Sequence, residues 1–473
     1  MAGMTGPAAG RPEALGGGLR ERARMCRVLR RPGIANSKAL MEPQEIQDDG
    51  RRYLASDDDV SMSLEEIREE ERLYPDIPED GIRMRIDGEW YDCTGWAKAH
   101  PGGSRWLTWF DGRDATDVFY AFHSYGPQGD DLAARRLAKL PRVVGPDKPA
   151  MFLPEDKGVY SALSSFRELR KKMERDGWFA RDPVKEAWSL FQVVALYASG
   201  TFLAWSHPVW AGVLIGLGMC QAGWLGHDYI HGRGKWCSMM RRMPTLLNGH
   251  STEWWTQKHS LHHSFTNEEQ LDGDIVIEPF YYLRHPKESG RADHPLRKWQ
   301  HIYGYPLLGV VFWLWRFHSL VHPREGILKR WREDPLEAAL MAANYAYLAW
   351  LPWQVAIASV TLGGFLVGAI VSATHQSEEI MPSERCEFVE GQFRSTRDAE
   401  CVLGPLEQWL WGGMETQLEH HLFPTLPRYR HHQLRPILKE WADNNGMTYR
   451  CSSTLGIIKQ NWSTLRDIAV AAP

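Results

Sequence analysis

Hydrophobic residues are spread unevenly along this chain, and the unevenness divides it. Before about residue 185 they come singly or in alternation; beyond it they come in blocks. Ile82, Met84 and Ile86 alternate with polar neighbours, and Asp87-Gly88 separates them from Trp90-Tyr91. This predicts strand, tight turn, strand, because Asp-Gly tolerates the positive φ that a two-residue hairpin needs. Ser63-Leu-Glu-Glu66 has the capping-box spacing that opens a short helix, and further helical segments start at Thr94. Gly and Pro recur through 124–157, as in a connecting segment. Over 161–178, Phe166, Leu169, Met173 and Trp178 form a stripe at helical spacing among basic residues. Such a stripe suits either a membrane surface or packing on the protein itself.

The apolar blocks are Ala187–Ser206, Pro208–Gly226, Leu336–Leu351 and Trp353–Thr374. Each is close to the roughly 20 residues that cross a bilayer as a helix, the third only with its flanks. Ile302–Leu320 is also apolar, but His301, Arg316 and His318 lie in or beside it, which predicts an interfacial or re-entrant segment. Basic residues cluster before the first block, after the second and before the third, whereas the turns at His207-Pro208 and Pro352 carry none. By the positive-inside rule, both termini and the 227–333 loop face the cytosol. The expected architecture is multi-domain: an N-terminal disordered or targeting tail (1–60), a small α+β domain (61–143), a linker with an amphipathic helix (144–185), an all-α membrane domain of about four spans with a cytosolic cap (186–435), and a cytosolic tail (436–473).

Composition sharpens this picture at three points. The mean hydropathy of −0.42 would suit a soluble protein, but a polar first third dilutes the later blocks. A net charge of −4 over 473 residues gives no positive field for nucleic acid. The 22 tryptophans fit membrane–water interfaces. Seven cysteines, an odd number without a C-x-x-C pair, argue against a disulfide framework, a Cys-ligated zinc or an iron–sulfur cluster. The Gly-, Ala- and Arg-rich start lacks the apolar core of a secretory signal; it reads as a tail or as a transit peptide for a plastid.

The chemistry lies in the histidines. His100-Pro-Gly-Gly103 precedes His123 by 23 positions, with aromatic residues around both. Two imidazoles from opposite walls of an apolar pocket can fill both axial positions of a haem that only passes electrons. Further on come His227-x-x-x-His231, His259-x-x-His262-His263 and Gln417-x-x-His420-His421. At i, i+3 and i+4 each cluster aims its imidazoles from one helix face. With 19 histidines in 473, an H-x-x-H-H triplet is expected by chance about 0.03 times. Imidazole suits several metals, so ligand type alone does not name one. The Glu-x-x-His motif of soluble di-iron bundles is absent from the sequence.

The segment 61–143, with "IDGEWYDCT", "HPGG" and "DATDVFYAFH", resembles the cytochrome b5 family. The resemblance implies haem b with His100 and His123 as axial ligands. It breaks at Ser104-Arg105, where such domains often carry an acidic or amide residue, a change that bears on docking more than on haem binding. The three histidine boxes, with "SFRELRKKMERDGWF", "EWWTQKHSLHHSFTN", "LDGDI" and "QLEHHLFP", resemble the membrane fatty-acid desaturases, and Gln417 with the fused haem domain resembles their front-end branch. That implies two non-haem irons held by His227, His231, His259, His262, His263, His420 and His421. His375 matches an isolated ligand of the family, Gln417 is a tentative ligand, and Asp228 and Asp274 are partners that orient imidazoles. His250, His318, His431 and His432 are expected to stand apart from the site.

The activity so implied is O2-dependent desaturation of a fatty acyl lipid or acyl-CoA, a polyunsaturated C18–C22 chain gaining a double bond towards its carboxyl end. Electrons would come from NAD(P)H through a cytochrome b5 reductase and the fused haem, at the endoplasmic reticulum membrane. The rival readings are a sphingolipid long-chain-base desaturase, a lipid hydroxylase and a non-catalytic b5 electron carrier.

Overall fold

A computed structural model describes residues 51–53, 61–63, 75–123, 132–145, 157–269, 271–275, 277, 280–289, 292–322, 325–381 and 387–471. The chain divides into two units, Met1–Arg68 and Glu69–Pro473. In the first, Arg51–Tyr53 pairs antiparallel with Ser61–Ser63. The rest of the expected tail, and the helix predicted after Ser63, lie outside the described residues.

The predicted hairpin is present: Arg83–Ile86 and Glu89–Asp92 pair antiparallel, and Asp87 (φ 52°) and Gly88 (φ 82°) form the turn. Ile82, Met84, Ile86 and Tyr91 point inward, against Leu107, Phe110 and Val118 from the short helices that follow. The connecting segment does not begin at 124 throughout. Leu132–Leu137 is helical, and Val143 donates its N–H to the Trp90 carbonyl at 3.0 Å, extending the small domain to that point.

The helix Lys157–Arg175 carries the amphipathic stripe. Its apolar face is covered by protein: Phe166 is buried between Phe423 and Trp441, with ring centroids 5.4 Å from each. Of the two uses the stripe allowed, packing on the protein is the one adopted.

The first apolar hairpin is Pro183–Leu203 and Pro208–His231; the second is Pro335–Trp350 and Trp353–His375. Asp182 caps the first helix by accepting from Val184 N at 2.9 Å, with Pro183 at the N1 position that proline favours. Pro208–His231 and Trp353–His375 are each long and apolar enough to cross a membrane. Tight contact between these two is built on glycine. A Cβ at Gly363 would stand 2.9 Å from the Met219 Cβ, and one at Gly212 would stand 3.0 Å from the Ala358 Cβ. The contact brings the C-terminal ends of both helices, His231 and His375, to one end of the bundle. At the other end Trp205 meets Trp350 edge-on at 4.4 Å. Trp188, Trp205, Trp210, Trp350 and Trp353 are all exposed, as an interfacial belt requires.

The apolar segment near 302–320 is broken. A helix Gln300–Leu307 runs into a 3-10 turn, Leu308–Val310, and a second helix, Val311–Val321. The segment 436–473, expected as a tail, is built into the domain. Cys451–Ser453 pairs parallel with Asp398–Glu400, and Gln300 Nε2 bonds the Leu465 carbonyl of the last helix at 2.8 Å.

The haem-type domain rests on the helical one. Phe110 stacks on Phe265 with centroids 5.3 Å apart, and Arg167 bonds both Asp117 carboxylate oxygens at 3.0 Å.

Candidate metal centre and haem crevice

The boxes come from separate helices. His227 and His231 end Pro208–His231; His259, His262 and His263 lie on Thr252–Ser264; His375 ends Trp353–His375; His420 and His421 lie on Gln417–Leu422. Ser251 caps the second of these, its Oγ accepting from Trp254 N at 3.2 Å, and so fixes the start of the box-two helix. The eight histidines gather into two groups. His227, His231, His259, His263 and His420 form one, and His262, His375 and His421 the other; within each group the ring nitrogens lie within 4.8 Å of one another. Every histidine the sequence nominated for iron is therefore brought to the site.

In the first group ring nitrogens converge on one another. Nε2 of His227 is 2.6 Å from Nε2 of His259, and Nε2 of His263 is 3.0 Å from Nε2 of both His259 and His420. Burial, and then the neighbouring histidines, hold His259, His263 and His420 well below the usual imidazole range, so these rings are neutral. Imidazoles aimed at one point can each offer a ring-nitrogen lone pair to a cation placed there. This donor arrangement fits a metal ion.

The second group is fixed from behind. The Nδ1–H groups donate outward: His262 to Asp272 Oδ2 at 2.8 Å, His375 to the Ser395 carbonyl at 3.0 Å, His421 to Gln392 Oε1 at 2.9 Å. In this tautomer, which such partners select, each Nε2 carries a lone pair directed into the group. The Gln417 amide reaches between them, Nε2 lying 3.0 Å from His375 Nε2 and 3.4 Å from His421 Nε2. Its Oε1 is buried and, among the described residues, has no hydrogen-bond partner.

Four expectations change here. The carboxylate on His262 is Asp272; Asp274 stands 3.9 Å away and pairs with Lys258. Asp228 accepts from Arg181 and from the Arg428 backbone rather than from an imidazole. His431 alone of its basic run is buried, with its ring 5.7 Å from that of His420, because it opens the His431–Asn444 helix on the inward face; His432 does face outward, paired with Glu415. His250 and His318 line the same cavity as the boxes, because the turn before Thr252 and the Val311–Val321 helix form its wall. Gln392 and the Ser395 carbonyl had no signal in the sequence at all.

That cavity, of about 350 Å³, opens from His227, His259, His262, His375 and Gln417 onto an apolar wall that includes Leu308, Val311, Phe312, Trp315 and Val367. The matches with known proteins agree with this layout. Residues 203–453, more than half of the chain, match the family model described as fatty acid desaturase. The chain belongs to the fatty acid desaturase family. Residues 63–143 of this desaturase match the cytochrome b5-like heme/steroid binding domain. Its relatives include the Delta(6)-fatty-acid desaturase fat-3 of Caenorhabditis elegans, 26% identical over 438 residues, spanning 82% of this chain and 96% of that protein. The acyl-lipid (9-3)-desaturase of Physcomitrium patens is 28% identical, spanning 81% and 74% of the two chains. Human fatty acid desaturase 3 is 27% identical, spanning 77% and 84%.

The b5-like domain implies haem, and its two histidines suit one. His100 Nδ1 bonds the Gly103 carbonyl at 3.1 Å and His123 Nδ1 the Phe119 carbonyl at 2.9 Å, partners that favour the tautomer with its lone pair on Nε2, the atom an axial ligand would use. A Cβ at Gly102 would stand 3.1 Å from the His100 ring and from Trp106, so glycine keeps this turn open beside the histidine.

Proposed function

We propose that this desaturase inserts a double bond on the carboxyl side of an existing one in a polyunsaturated C18–C22 acyl chain. O2 is the oxidant, and electrons arrive one at a time through the fused haem from an NAD(P)H-dependent cytochrome b5 reductase. The single observation that carries this reading is the pair of histidine groups at the head of an apolar cavity. Gln417, the fused haem domain and relatives named Delta(6)-fatty-acid desaturase and acyl-lipid 8-desaturase support the front-end assignment.

His227, His231, His259, His263 and His420 would hold one iron, and His262, His375, His421 and Gln417 the other. Iron there supplies the O2-derived oxidant that an unactivated methylene C–H requires and that no side-chain acid or base can provide. Asp272, Gln392 and the Ser395 carbonyl keep three imidazoles in the ligating tautomer. Phe312, Trp315 and Val367 exclude water and hold the acyl chain under the metals. Overall, –CH2–CH2– + O2 + 2 e− + 2 H+ gives –CH=CH– + 2 H2O. The two apolar hairpins would each cross the membrane twice, leaving both termini and the 227–333 loop on the cytosolic side, as at the endoplasmic reticulum.

The test is expression in yeast fed linoleic, α-linolenic and longer polyunsaturated acids, with new double bonds located by mass spectrometry. A new bond on the carboxyl side of an existing one is expected. New bonds only in saturated chains, only on the methyl side, or only in long-chain bases would overturn the assignment, and hydroxy acids as sole product would make the protein a hydroxylase.

A further inference from the structure

We propose that the ring of Phe122 is the electron bridge from the haem-ligand His123 into the first iron group, and that the haem domain is docked so as to hold that ring in place. The inference rests on the ligand assignments of the proposed function.

Phe122 and His123 are adjacent in sequence but face different centres. The His123 ring stacks back on Phe119, one turn earlier, with centroids 4.5 Å apart, and its Nδ1 is tied to the Phe119 carbonyl. The Phe122 ring points into the helical domain, with centroids 6.4 Å from His231 and 6.5 Å from His263. Both belong to the five-histidine group. A continuous covalent path through a single peptide link thus joins the haem ligand to a ring packed beside two of the histidines proposed to hold iron. Electron transfer weakens steeply with each gap through space, so an aromatic ring that fills the last gap governs the rate.

The surrounding contacts keep the two domains in register. Arg170, 1% exposed, donates to the Tyr120 carbonyl at 2.6 Å on the haem side and to the Leu422 carbonyl, next to His421, on the other. Beside the HPGG turn Gln257, two positions before His259, accepts from Arg105 at 2.6 Å and donates to the Gly102 carbonyl at 3.4 Å. Arg105 also pairs with Glu325 at 3.2 Å. Arg105 is the position at which this sequence departs from the b5 pattern, and the departure makes a contact with the box-two helix. Both haem-ligand segments therefore rest on iron-ligand helices: the HPGG turn on Thr252–Ser264, and Phe122 on His231 and His263.

Each double bond uses two electrons from the substrate C–H bonds and two from the haem, passed singly, to reduce O2 to two waters. The haem is re-reduced by the flavin reductase, so its reoxidation rate reports the step Phe122 serves. The experiment is stopped-flow reoxidation of the reduced haem in full-length, haem- and iron-loaded enzyme, mixed with O2 and linoleoyl-CoA, for the parent, Phe122→Leu, Phe122→Trp and Arg105→Ala. Low-spin haem absorbance and non-haem iron content are measured on each. Phe122→Leu is expected to slow reoxidation on the order of tenfold or more, with kcat falling in parallel and KM for the acyl substrate unchanged. Phe122→Trp restores most of the rate. Arg105→Ala slows it severalfold. Reoxidation at the parent rate in Phe122→Leu with full haem and iron overturns the bridge. Should Phe122→Leu fail to bind haem, Arg105→Ala carries the test, and a parent rate there overturns the docking. Dithionite added without air and removed before O2 is admitted reduces the iron directly for a single turnover, without electrons relayed through the haem, and separates the two levels. Product formed with dithionite in Phe122→Leu supports the bridge, whereas no product from the parent enzyme with dithionite overturns the desaturase reading beneath it.

Discussion

The haem crevice and the iron core are both built on imidazoles, yet they are assembled in opposite ways. His100 and His123 sit on one short stretch of chain, and each is anchored by a carbonyl of its own segment, Gly103 or Phe119. The iron-site histidines come from four helices and a span of sequence from 227 to 421. Three of them are anchored by groups brought from elsewhere in the chain: Asp272, Gln392 and the Ser395 carbonyl. A two-ligand electron carrier can be specified locally. A site that must gather eight rings around two metals depends on the tertiary fold, here on the glycine-mediated contact of Pro208–His231 with Trp353–His375.

The two regions should therefore fail separately. His263→Ala removes the ring whose Nε2 lies 3.0 Å from both His259 and His420. Activity should become undetectable and non-haem iron should fall, while the haem spectrum stays intact; iron and haem assays on the purified protein check this. His123→Ala should do the reverse. Haem and NAD(P)H-driven turnover are lost, but non-haem iron remains, and product still forms in a single turnover when O2 is admitted after anaerobic reduction with dithionite. Loss of both cofactors in either variant would break the comparison.

Smaller changes sharpen it. Asp272→Asn keeps the shape but weakens the hold on His262 Nδ1, and such partners typically govern metal affinity by about 10–100-fold. Chelator competition should show a loss in that range, with haem affinity unchanged. Arg170→Met should leave both cofactors bound. It removes the charge-assisted hydrogen bonds to the Tyr120 and Leu422 carbonyls, worth about 1.5–3 kcal/mol each, so Tm should fall by several degrees while the metal content stays the same.

Legibility in the sequence follows the same division. The haem half was readable because its hairpin, turn and both histidines obey local rules of alternation, Asp-Gly turns and spacing. The histidine clusters were readable too, since i, i+3 and i+4 histidines are improbable by chance. The partners of those ligands were not. Asp272 and Asp274 both occur in "LDGDI", and nothing local distinguishes the one that meets His262. Gln392 and His431 become neighbours of the site only through tertiary packing. The Phe166 stripe had the pattern of a membrane-surface helix, and only the positions of Phe423 and Trp441, remote in sequence, decide that it is a core face. His250 and His318 lacked any motif, yet both line the cavity.

The central claim is that the eight histidines hold two irons beside one haem. Metal analysis of the purified full-length enzyme, with haem quantified by its pyridine complex and non-haem iron by Mössbauer spectroscopy, tests it directly. The account predicts two non-haem irons per haem in the parent, with iron lost and haem kept in His262→Ala. One haem and no non-haem iron in a parent protein with every histidine intact would contradict it and leave an electron carrier.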